Sequence, residues 1–261
     1  MITVVDVTLI ALLAGAATGI GALPILVTGR VSHRVYDGAL GLAAGIMVGA
    51  AVFALIVPGL ELGTLAEVTG GLIVGGGFLL AANWAIPHAH MLFGGSNGEE
   101  FPESEFVDET DDDLRQAILI GSSITIHNVP EGLAIGIAFA SGFEEVGIAL
   151  AGAIAVQNVP DGFAMAVPAS QTGLSKAKTI LNTTLSGAIP EPIAAAAGFA
   201  LVAVVTGVFP AAAGFAAGAM MAVVFRELIP ESHSHGYADT ATITFILGFG
   251  VMLGVDVGLA V

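Results

Sequence analysis

Residues 125–134 read TIHNVPEGLA, and residues 155–164 read AVQNVPDGFA. The two phrases share one pattern: His or Gln, then Asn-Val-Pro, then Glu or Asp, then Gly. Each lies inside an otherwise apolar run. A helix needs about 20 consecutive, mostly apolar residues to cross a bilayer. Windows of that kind fall at roughly 6–28, 39–58, 70–87, 115–140, 145–168, 178–206, 211–229 and 240–260. The expectation is an all-α integral membrane protein with eight transmembrane helices, forming one transmembrane domain over 1–261. The two phrases then sit in spans four and five, each about 12 residues in, or roughly 18 Å at the helical rise. Both are near mid-membrane. Consecutive spans run in opposite directions, so the phrases form an inverted repeat whose helices pair there, a common way to build a transporter site.

Composition supports the membrane reading. Of 261 residues, 56% are hydrophobic and 11% charged, with a mean hydropathy of +0.93. A soluble domain carries about 25% charged residues. The chain has no cysteine, so disulfides and thiolate metal sites are excluded, and a metal must be held by nitrogen and oxygen. A net charge of −16 argues against nucleic acid as a partner, which requires a basic footprint. Residues 1–29 lack the basic start of a signal peptide and are long enough to span.

The six basic residues are Arg30, Arg34, Arg115, Lys176, Lys178 and Arg226. In an eight-span scheme all lie at connections on one side. The positive-inside rule makes that side the cytoplasm, with both termini extracytoplasmic and the protein multi-pass in the plasma membrane. Residues 88–114, between spans three and four, form an acidic cytoplasmic loop carrying nine carboxylates over 99–113. Its acidic part reads as a solvated tail, with His88 and His90 at its start placed to pass on a cation. His33 reads as a solvated loop residue, Asp37 as an interface residue, and Met220 and Met221 as packing.

His127 and Glu131 are four residues apart and share a helix face; Gln157 and Asp161 repeat the spacing. Asn128 and Asn158 lie about 100° round from them. Pro130 and Pro160 donate no backbone hydrogen bond and free carbonyls one turn back, while Gly132 and Gly162 allow close approach. Ionisable groups at mid-bilayer are expensive and by default functional. Glu191, bracketed by Pro190 and Pro192, and Glu227, near the inner end of span seven, belong to the same class. His127, Asn128, Glu131, Gln157, Asn158, Asp161 and Glu191 together offer hard oxygen and one imidazole, which suits a divalent first-row cation. The carboxylates can take up protons when metal leaves.

These motifs resemble the ZIP (Zrt- and Irt-like) family of divalent metal transporters, and the prokaryotic branch in particular. HNVPEG at 127–132 and QNVPDG at 157–162 are similar to its fourth- and fifth-span signatures. GGLIVGGGFLLAANWAIPHAH at 70–90, FAAGAMMAVVFRELIPESHSHG at 215–236 and AAGIMVGAAVFALIVPGLE at 43–61 resemble its third, seventh and second spans. The resemblance implies a dimeric zinc-type carrier, with zinc, cadmium, iron(II), manganese(II) and cobalt(II) as candidate cargo and no further cofactor. It implies a primary site of His127, Glu131, Gln157 and Asp161, and a second of Asn128, Asn158, Asp161 and Glu191 sharing Glu131. Glu227, Glu231, His233 and His235 would line the inward path, with His88 and His90 as relay ligands. It further implies an elevator-like movement of spans one, four, five and six against two, three, seven and eight.

Two positions depart from the family pattern. Asp161 stands where Glu is common, which fits a tighter site or one metal instead of two. Arg226 stands where His is frequent, and its permanent charge opposes metal at the inner site. The competing readings are a membrane metal sensor and an intramembrane metalloenzyme. The latter is disfavoured because the zincin pattern H-E-x-x-H is absent, and no enzymatic activity is expected.

Overall fold

The computed structural model describes residues 2–27, 31–92, 128–142, 144–170, 174–204 and 207–259. Among these the chain is helical, without strands. The helices are α1 (Val4–Ala22), α2 (His33–Ala50), α3 (Val57–Leu62), α4 (Leu65–Leu92), α6 (Glu144–Ala169), α7 (Lys176–Ala188), α8 (Pro190–Val204), α9 (Phe209–Val223), α10 (Ile229–Ser232) and α11 (Ala238–Leu259), with α5 over Asn128–Ala140. Seven helical stretches among the described residues are long and apolar enough to cross a membrane. Of the predicted fourth span, 115–140, only the second half is described, as α5.

Local chemistry sets the helix ends. Thr3 and Asp6 open α1 as a reciprocal capping box, with the Thr3 amide donating to Asp6 Oδ2 at 2.8 Å. Thr64 and Glu67 repeat the device at the start of α4, again at 2.8 Å. Both acids are thereby explained as caps. α2 continues through a π-helical segment, Ala51–Ile56, into α3, and α9 continues through another, Val224–Leu228, into α10. Each π segment lies just before a proline, Pro58 or Pro230, whose missing N–H disturbs the regular ladder. The predicted sixth span is broken: α7 ends at Ala188 and α8 starts at Pro190. The predicted loop 88–114 overlaps α4, which runs to Leu92; the side chains of His88 and His90, and all of 93–114, fall outside the described residues.

Packing divides the helices into two sets. α1 packs on α6, α7 and α8, and α5 packs on α6 and α8. In the second set α2 packs on α11, and α4 on α9. Within each set glycines bring backbones together. A β-carbon on Gly162 would collide with the Thr18 carbonyl, and one on Gly15 with the Gly187 carbonyl. In the second set, Gly75 meets the Phe215 carbonyl, Gly218 that of Leu72, and Gly45 that of Phe245. Among the described residues, every glycine whose β-carbon would touch another helix touches one of its own set. The sets meet chiefly along α2 and α6. Met220, Met47, Met252 and Phe139 fill the interior, whereas Leu13, Ile73, Phe225 and Ile246 point outward, as a lipid-facing surface requires.

Two residues near the start of α2 have partners that no motif shows. Asp37 lies one turn inside α2 with no solvent exposure, and its Oδ1 lies 2.8 Å from Nδ1 of His235. His33 is exposed, but its ring stacks on that of His235 with centroids 4.5 Å apart. His33 and Asp37 share a face of α2 at i and i+4, but nothing local signals their third partner, because His235 lies 198 positions from Asp37.

Candidate metal-binding site

The tight turn after α5 brings the two motif helices together. Ser141 and Gly142 donate their amides to Ala138 and Phe139 carbonyls, and Gly142 has φ of 90°, the left-handed conformation that glycine accepts at a helix end. α6 begins at Glu144. Glu131 on α5 and Gln157 on α6 then meet: Gln157 Nε2 donates to Glu131 Oε1 at 2.6 Å. Both side chains are buried, Glu131 at 1% exposure and Gln157 at 0%.

The next residue, Asn158, connects three elements. Its Nδ2 donates to Glu191 Oε1 on α8 at 2.8 Å and to the Ala14 carbonyl on α1 at 2.9 Å. Glu191 is fully buried in the first turn of α8, where the positive end of the helix dipole favours a carboxylate. Asn128 Nδ2 donates to the Ser186 carbonyl on α7 at 2.8 Å. That carbonyl is free because the residue four later is Pro190, which has no N–H. The α7–α8 break thus supplies both an acceptor for Asn128 and the helix start that holds Glu191. Asp161, one turn beyond Gln157, is half-buried and, with Glu191, is a charged neighbour of Glu131.

The orientation of these groups has one consequence. The amide N–H groups face other protein atoms, and oxygens are left over. Glu131 Oε2, Gln157 Oε1, Asn158 Oδ1 and Glu191 Oε2 are buried and have no hydrogen-bond donor. Buried acceptors are ordinarily satisfied, and leaving one unmet costs about 1–3 kcal/mol, more when charged. Among the described residues no three imidazole and carboxylate groups form a cage by themselves; the amides of Gln157 and Asn158 stand between the carboxylates. A cation here would be held by mixed carboxylate and amide oxygen.

His127 lies outside the described residues. The second predicted group is placed elsewhere, beyond α9. Glu227 is half-buried in the π segment and Arg226 beside it is exposed. Glu231 and His233 are exposed, with His233 Nδ1 2.9 Å from the Ile229 carbonyl, and His235 is joined to Asp37. The contributions of the Ala14 and Ser186 carbonyls escape a motif reading. For Ser186 the sequence does hold a signal, the proline four residues later.

The sequence model of the family described as ZIP Zinc transporter matches residues 96–256. Zinc transporter GufA of Myxococcus xanthus is 34% identical over 259 residues, covering 95% of this chain and 96% of that protein. Zinc transporter ZIPB of Bordetella bronchiseptica is 37% identical over 260 residues, 94% of this chain and 78% of that protein. Zinc transporter ZIP11 of Homo sapiens is 31% identical over 321 aligned positions, 93% and 94% respectively. The described residues form an all-helical membrane protein with buried acids on its helices, and the relatives place it in the transporter class. The chain belongs to the ZIP zinc transporter family, and is a transporter rather than an enzyme.

Proposed function

We propose that the protein carries zinc across the plasma membrane into the cytoplasm, with the metal bound between α5 and α6. The observation that carries this reading is the group of four buried oxygens without donors on Glu131, Gln157, Asn158 and Glu191. A cation would satisfy several such oxygens at once. His127, Asn128 and Asp161 complete the ligand set, with α5 and α6 as antiparallel copies of one device. Oxygen-rich ligands without thiolate bind a first-row dication and also release it, so iron(II), manganese(II) and cobalt(II) are further cargo, as is cadmium, the heavier congener of zinc. Both termini are extracytoplasmic, and the protein is a homodimer. Glu227, Glu231, His233 and His235 line the inward path, and His88 and His90 relay the ion at its end.

Movement follows the division of the fold. The set that holds every main ligand, α1 with α5 to α8, slides against the set of α2 to α4 and α9 to α11. The glycine contacts support this, since among the described residues they fasten each set internally and none fastens one set to the other.

The test is uptake by liposomes loaded with a zinc-sensitive dye. Wild-type protein is expected to give a zinc-dependent signal that His127→Ala and Glu131→Ala abolish while still folding. Wild-type uptake in both variants would refute the site. Binding without flux would turn the reading to a metal sensor.

A further inference from the structure

Tyr36, near the start of α2, reaches across from one helix set to the other. Its hydroxyl donates to the Ala164 carbonyl on α6 at 3.2 Å, in a partly buried position. That carbonyl is available for a reason written in the sequence. A helical carbonyl accepts from the N–H four residues on, and four residues after Ala164 stands Pro168, which has none. Tyrosine therefore takes an acceptor that proline releases, as Asn128 does at Ser186.

The ring is held by its own set. His235 packs edge-on against it with centroids 5.4 Å apart, and His235 is itself fixed by Asp37 and stacked on His33. Glu231, on α10, also faces the hydroxyl. The hydroxyl's hydrogen bond thus runs to the other set, with the Glu231 carboxylate of its own set close by. Ala164 lies three residues beyond Asp161, on the helix that carries Gln157 and Asn158.

We propose that the Tyr36–Ala164 hydrogen bond is a latch between the two helix sets, holding them in the arrangement seen here and breaking each time the metal-carrying set moves. The proposal rests on the sliding reading above. Among the described residues the seam it crosses has no glycine-mediated backbone contact, so a single bond can bias the equilibrium there. Its net worth corresponds to about a two- to tenfold change in an equilibrium or rate. When it breaks, the hydroxyl turns to Glu231 and is not left without an acceptor.

The test uses full-length protein in nanodiscs for hydrogen–deuterium exchange and in liposomes for zinc uptake. Tyr36→Phe keeps the ring and removes the donor. Pro168→Ala restores an N–H that competes for the Ala164 carbonyl. Each is expected to raise exchange over 33–40 and 160–170, and the rate of uptake, by about two- to tenfold. The double variant should add little to either single one. If Tyr36→Phe matches wild type in exchange and uptake while zinc still shifts wild-type exchange at these segments, the latch is wrong and sliding stands. If zinc shifts wild-type exchange at neither segment, the sliding reading falls and the latch with it.

Discussion

At the scale of the residue, the site depends on which way the amides point. Asn158 spends its donor on Ala14 and Glu191, which fixes both its own oxygen and the Glu191 carboxylate. Groups that orient a metal's ligands are typically worth about 10–100-fold in affinity. Asn158→Ala should therefore weaken zinc binding by about 10–100-fold, measured by titration of purified protein; an unchanged affinity would remove Asn158 from the site. Asn128→Ala should leave the Ser186 carbonyl without its donor and lower stability by about 1–3 kcal/mol, read as a drop in melting temperature without metal. The acids and amides were legible in the sequence because a polar residue in an apolar run is conspicuous. Their partners were not, because a side chain's donor can find a carbonyl on another helix only after packing. Asp37 and His235 illustrate this: they meet across 198 positions of sequence, and no motif pairs them.

At the scale of the element, glycine and proline set the architecture by opposite means. Proline breaks the ladder where function needs free carbonyls or a new helix start, at Pro190 and Pro168. Glycine lets helices touch. On α4 the two uses of glycine are separable within half a turn. Gly75 abuts the Phe215 carbonyl, whereas Gly77 has nothing within 4 Å. Gly75→Ala should destabilise by about 1–3 kcal/mol through overpacking. Gly77→Ala should be neutral or stabilise by about 0.5–1 kcal/mol through helix propensity. Thermal unfolding in detergent compares them, and equal effects would contradict the packing. Hydropathy marks where the helices run, but a mean over a window cannot show the α7–α8 break or the two π segments. Those arise from single prolines acting on a ladder that remains apolar throughout.

At the scale of the whole molecule, two glycine-fastened sets of helices meet chiefly along α2 and α6. The chain has no cysteine, so introduced pairs report without background. Bridging Tyr36→Cys to Ala164→Cys with a short bis-maleimide should stop zinc uptake, because that bridge crosses the seam. Bridging Phe78→Cys to Phe215→Cys, whose rings meet within one set with centroids 5.5 Å apart, should leave most uptake intact. Liposome flux measures both, and full uptake through the cross-set bridge would show that the sets need not move. The membrane class of the protein follows from composition alone. The division into sets does not, because it depends on which glycine meets which carbonyl.

The central claim is that zinc sits among the donorless oxygens of Glu131, Gln157, Asn158 and Glu191. The most direct measurement is anomalous scattering at the zinc edge from crystals of the zinc-loaded protein. A peak between α5 and α6, within bonding distance of Glu131, is the predicted result, and it should vanish in Glu131→Ala. A map with zinc only on the surface, or only near His235, would contradict the account.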